Sequence, residues 1–128
     1  MTRARFTHRA GEYALRVTGH ADFHPGSDIV CAAASTLVCT LAAALGELGA
    51  DVTALRLQPG DAVIAARAGE GVRTAFLVAC TGFRQLAAAY PENVQFTQRP
   101  AEQAASPRLT TTSLGCQTKF KKEFFHDK

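Results

Sequence analysis

Cys31 stands three residues after Asp28 and eleven after His20, in Gly19-His20-Ala21-Asp22-Phe23-His24-Pro25-Gly26-Ser27-Asp28-Ile29-Val30-Cys31. Asp28 is a good helix N-cap and a long Ala-rich run follows it, so Cys31 falls in the first turn of a predicted helix. Unpaired N–H groups at such an end carry partial positive charge, which favours thiolate over thiol. His20 lies where a strand gives way to a loop, and the loop can fold it back over the helix end. An imidazole beside such a thiol accepts its proton, and the pair becomes a nucleophile. Two roles are open to Asp28: capping the helix and orienting His20. Spacing alone leaves two further readings, Cys31 as a small hydrophobe and His20, His24 and Cys31 as metal ligands.

The elements that must position these residues follow from periodicity. Ala4–His8 reads as a strand, Ala10-Gly11 as a hairpin turn, and Tyr13–Thr18 as a second strand with period two. Gly19–Ser27 is a loop, holding Gly19, Pro25 and Gly26. A helix runs from Asp28 to about Leu48 and ends at Gly49. Val52–Leu57 alternates as a strand, Gln58–Asp61 is a turn, and Ala62–Arg67 pairs back. A second helix spans Glu70–Tyr90, closed by Pro91, and Val94–Arg99 is the last strand, with Val94, Phe96 and Gln98 on one face. The expected class is α+β in the order ββαββαβ, a sheet of about five strands with two long helices packed on it.

Composition agrees with one small globular domain: 128 residues, 47% hydrophobic and 20% charged. Fourteen basic residues against eleven acidic ones leave +3, too weak by itself to argue nucleic-acid binding. The cations are unevenly placed. Every one from Arg3 to Arg108 is arginine, and the four lysines (Lys119, Lys121, Lys122, Lys128) fall in the last ten residues with Phe120, Phe124 and Phe125. Residues 1–99 therefore read as the folded body, and 100–128 as a flexible or peripherally packed tail. Ile29–Gly46 carries no charge, but its many alanines with Ser35, Thr36 and Thr40 suit a buried helix better than a membrane span.

None of Cys31, Cys39, Cys80 and Cys116 forms a CxxC pair, and Met1–Phe6 has no apolar secretory core. Reduced thiols in a cytoplasm are therefore expected. Cys39, two turns past Cys31, and Cys80, midway along the second helix, read as core; Cys116 reads as an exposed thiol. Neither His8 nor His126 belongs to a constellation.

The combination of Gly19-His20-Ala21, a glycine-bearing loop and Asp28-Ile29-Val30-Cys31-Ala32-Ala33-Ala34-Ser35 resembles the signature of the bacterial ribosomal-processing cysteine protease family, Prp. The ββαββαβ order and Tyr90-Pro91-Glu92-Asn93-Val94 after the second helix are also similar, over about residues 2–99. The resemblance implies a homodimeric cytoplasmic endopeptidase. Such an enzyme removes an N-terminal extension from the large-subunit ribosomal protein numbered twenty-seven, cutting after a Phe-Phe pair. It further implies Cys31 as nucleophile, His20 as general base, Asp28 and Ser35 in support, and Ala21 and Gly26 in a loop that opens for substrate. No cofactor, metal, membrane or specific nucleic-acid partner is expected, and backbone N–H groups near Cys31 are the simplest holders of an oxyanion.

Two features depart from the family pattern. The His20-to-Cys31 segment is one residue shorter and contains Pro25, and the tail after Arg99 is additional. An alternative function on the same fold is a non-catalytic ribosome-associated binding module, attached weakly through the basic tail. Lys119–Phe125 also ends in Phe-Phe, so the tail is a candidate occupant of its own or a neighbour's substrate groove.

Overall fold

The computed structural model of the chain describes residues 1–20 and 28–99. The expectations for Ala21, His24 and Gly26, and for the tail with Cys116, lie outside the described residues. Within them the order is β1 (Thr2–Arg9), β2 (Glu12–Thr18), α1 (Ile29–Glu47), β3 (Val52–Gln58), β4 (Asp61–Arg67), α2 (Val72–Ala89) and β5 (Val94–Arg99). This is the expected ββαββαβ arrangement. The five strands form one sheet in the order β3-β4-β2-β1-β5, antiparallel except where β5 runs parallel to β1.

Alternation decides which side of the sheet is covered. Thr2, Ala4, Tyr13, Leu15, Val17, Ala62, Ile64, Ala66 and Val94 are buried, and the registers place them on one face. α1 meets that face with Val30, Ala34, Val38, Leu41 and Leu45, spaced three or four residues apart. α2 brings Val72, Phe76, Ala79, Cys80, Phe83 and Leu86 into the same core. With no tryptophan available, the bulk comes from Phe76 and Phe83, both essentially inaccessible to solvent. Phe76 also stacks on Tyr13 at 5.7 Å between ring centres and lies 5.9 Å from Phe6.

α1 is the helix among the described residues that is long and apolar enough to cross a membrane. Its buried row is a wall of the domain core, but the rest of the helix is half-buried or exposed, which corrects the expectation of a buried helix. The start of α2 falls two residues later than expected. Gly71 has a φ of +80° and acts as the N-cap, a left-handed conformation that Glu70-Gly71 cannot carry into a helix.

β3 departs from its neighbours: every residue in it is exposed. Leu55 and Leu57 lie opposite Ile64 and Ala62, so they point to the helix side, yet they remain 57% and 44% exposed.

Cys80 is buried as expected, and burial pushes its thiol from 9.0 up to about 12, slightly opposed by the Arg84 guanidinium. Above pH 9 the unfolded chain loses this proton while the folded one keeps it. Stability is therefore expected to fall as pH rises from about 9 towards 12, with no contribution from this group below that window, as denaturant melts across that range would read. Truncating the core by Phe83→Ala is expected to cost about 3–5 kcal/mol in the same measurement.

Candidate active site

Asp28 adopts an extended conformation and its carboxylate accepts the backbone N–H groups of Val30 and Cys31, each at 2.9 Å. That is N-cap geometry, and it fixes Cys31 as the third residue of α1. The carbonyl of Asp28 accepts the N–H of Ala32 at 3.1 Å. All three N–H groups around Cys31 are thus engaged by Asp28. Of the backbone groups near Cys31, the N–H groups of Val30, Cys31 and Ala32 therefore already have an acceptor.

Cys31 is half-buried, and it lines a cleft of about 340 Å³ together with His20 and Ser35. Ser35 sits one turn along α1 on the row that begins with Cys31. Cys39 continues this row into the same cleft and is exposed, which corrects its expected place in the core. The two cysteines do share a helix face. That face is the cleft wall, while the core takes the adjacent row through Val30, Ala34 and Val38.

His20 reaches the cleft from the other side of the sheet end. β2 pairs with β4 so that Thr18 lies opposite Asp61. The turn that precedes Asp61 therefore flanks the residues that follow Thr18. Gly19 donates its N–H to the carbonyl of Gly60 at 3.0 Å, tying the backbone before His20 to the β3–β4 turn. The imidazole then rests on Gly60 itself. A Cβ at that position would lie 2.8 Å from Nε2 and 3.1 Å from Cε1, closer than contact permits. Gly60 also has a φ of +75°, so both its conformation and its missing side chain are in use.

Leu57, Gln58, Pro59, Gly60 and Ala62 complete the far wall, with Val17, Ala34 and Val38 making the floor mainly apolar. The β3–β4 segment reads in sequence only as a turn. Nothing local marks it as part of a site, because its position depends on the pairing of β2 with β4. Asp61 closes the end of the wall and is ion-paired to Arg56 at 3.1 Å and Arg16 at 3.7 Å.

Among the described residues no three of His, Cys, Asp and Glu stand close enough to hold a metal ion. The alternative metal reading depends on His24, outside those residues. What the cleft does bring together is a thiol at a capped helix start, an imidazole seated on a backbone turn and a hydroxyl one turn away.

Comparison with known proteins gives a concordant picture. The family model described as cysteine protease Prp matches residues 1–95. A crystal structure of SMU.848 from Streptococcus mutans is similar at 30% identity and a TM-score of 0.59, covering 77% of this chain and 96% of that one. The essential ribosomal processing protease Prp from S. aureus, in complex with a covalently linked product peptide, is similar in fold at 21% identity and a TM-score of 0.67, covering 77% of this chain and 100% of that one. The same S. aureus protein in complex with a substrate peptide gives 19% identity and a TM-score of 0.62 over the same shares. No match is found among curated proteins by sequence. With most of its length matched by one family, the chain belongs to the cysteine protease Prp family.

Proposed function

We propose that this family member is a ribosomal-protein processing endopeptidase with Cys31 as nucleophile and His20 as general base. Its substrate is the precursor of the large-subunit ribosomal protein numbered twenty-seven, cut after a Phe-Phe pair. The observation that carries this reading is the convergence of His20 and Cys31, from separate elements, on one cleft with an apolar floor. Support also comes from the S. aureus relative, a ribosomal processing protease seen with substrate and product peptides. An extended peptide would lay aromatic side chains against Val17, Val38 and Leu57, and apolar burial of that kind suits phenylalanine.

In this mechanism His20 takes the Cys31 proton and the thiolate attacks the scissile carbonyl carbon. Collapse of the tetrahedral intermediate breaks the C–N bond, and His20 returns the proton to the leaving amine. Water, deprotonated by His20, then cleaves the thioester and restores the thiol. Asp28 acts by holding the first turn of α1, and the Ser35 hydroxyl, one turn from Cys31 in the same cleft, donates to the oxyanion. Ala21 and Gly26 belong to the loop that admits substrate. We further propose that the enzyme works as a cytoplasmic homodimer.

A peptide carrying the Phe-Phe extension tests the assignment by mass spectrometry of the products. Cys31→Ala and His20→Ala are expected to abolish cleavage at that bond, while Ser35→Ala is expected to lower kcat by about 10²-fold with KM little changed. Cleavage by Cys31→Ala at the wild-type rate would remove Cys31 as nucleophile. Binding of the peptide by the native chain with no cleavage would instead favour the non-catalytic module.

The Gly60 seat yields a matched pair of variants. Gly11, at φ +77° in the β1–β2 turn, has nothing within 4 Å of a would-be Cβ. Gly11→Ala and Gly60→Ala therefore impose the same backbone strain, roughly 1 kcal/mol, but only the second pushes on His20. Gly60→Ala is expected to lower kcat at least about tenfold below Gly11→Ala, with similar melting temperatures for the two.

A further inference from the structure

The side of the sheet turned away from both helices carries most of the body's positive charge. Residues paired across the strands share a face. The registers therefore put Arg3, Arg5 and Arg9 of β1, Arg16 of β2, Arg56 of β3, Arg67 of β4 and Arg99 of β5 on the outer face. Seven of the nine arginines in residues 1–99 stand there, and all seven are exposed. The strand acids on the same face are Glu12 and Asp61. Asp61 is shared by Arg16 and Arg56, and Arg67 is held by Asp51 at 3.1 Å. Arg3, Arg5 and Arg99 cluster on the neighbouring strands β1 and β5, with Gln95 and Thr97 between them. A net charge near zero for the body thus conceals a strongly cationic face and a compensating remainder.

Arg5 lies directly opposite Arg16. Like charges so placed destabilise a sheet, and the body's other cations, Arg73 and Arg84, sit on α2 away from any such pair. A bound polyanion would relieve that repulsion.

We propose that this outer face is a docking surface for the phosphate backbone of double-stranded RNA. The chemistry of the face selects among polyanions. Its cations are all arginine, whose planar fork matches phosphate oxygens in two-point contact. The surrounding residues are Thr7, Ala14, Thr18, Val63, Ala65, Gln95 and Thr97, with no aromatic ring among them. Single strands are gripped by stacking on aromatic side chains, which this face lacks. A membrane surface is held by large apolar side chains inserted beneath the cations, and Val63, itself half-buried, is the one branched aliphatic among those residues. An array of arginines without base-reading side chains contacts phosphates, so the expected binding is insensitive to base sequence. The face lies across the sheet from the cleft, leaving the peptide site open while RNA is bound.

The test uses the full chain and a fluorescein-labelled RNA hairpin duplex, followed by anisotropy at several salt concentrations. Arg3→Gln/Arg5→Gln/Arg99→Gln is expected to weaken binding at least about tenfold and to lower the salt slope by roughly two to three. Peptide cleavage by that variant is expected to stay at the wild-type level, which shows that it folds and separates this inference from the peptidase reading. Arg5→Gln alone is expected to raise the melting temperature while weakening binding. Lys119→Gln/Lys121→Gln/Lys122→Gln tests the tail as a rival cation source and is expected to bind as the wild type does. Loss of affinity in the lysine variant with retention in the arginine variant would overturn the proposal. So would no measurable duplex binding, tighter binding to the unpaired strand, or arginine-dependent binding to phosphatidylserine vesicles in place of RNA.

Discussion

Two hydrogen bonds, donated by the N–H groups of Val30 and Cys31 to the Asp28 carboxylate, set the rest of the site. They decide where α1 starts, and the start decides which residue stands at the mouth of the cleft. A one-residue shift of that start would rotate the thiol by about 100° around the helix axis, away from His20. The same carboxylate thus occupies two backbone donors beside the sulfur, and a single side chain fixes the position of the nucleophile candidate.

α1 serves two neighbouring surfaces at once. Val30, Ala34, Val38, Leu41 and Leu45 anchor it in the core, while Cys31, Ser35 and Cys39 follow the next row along the cleft. The abundance of alanine suits this double duty, since small side chains let a helix lie close to a sheet without a bulky outer face. On the opposite wall the imidazole is held through backbone: the Gly19 N–H, the Gly60 carbonyl and the bare Gly60 α-carbon. One wall is thus a rigid helix and the other a hairpin tip. The site joins an element ordered by local capping to one ordered by strand pairing.

That difference explains what could be read from the residues alone. The cap at Asp28, the helix after it and the place of Cys31 depend on contacts within four residues, so spacing reveals them. The alternation in β1, β2 and β4 likewise declares a half-covered sheet. The approach of the Gln58–Asp61 turn to His20 depends on β4 choosing β2 as its partner, 43 to 55 residues away in the chain, and no local pattern encodes that choice. Cys39 shows a subtler limit: its helix face was legible, but whether that face meets core or cleft is a property of what packs beside it. The arginines of the outer face were visible one by one, and only the strand registers reveal that they gather on one side.

The parallel pairing of β5 with β1 joins the two ends of the folded body, from Thr2 beside Val94 to Thr7 beside Arg99. The hairpins β1–β2 and β3–β4 can form early, because each closes a short loop. The sheet's far edge waits for residues almost a full domain length apart, and such separation slows folding through the entropy of closing so long a loop. During synthesis β1 must remain an open edge until the last strand has emerged. β1 is therefore the strand of this domain most exposed to wrong partners, and completing the sheet is a late step in its assembly.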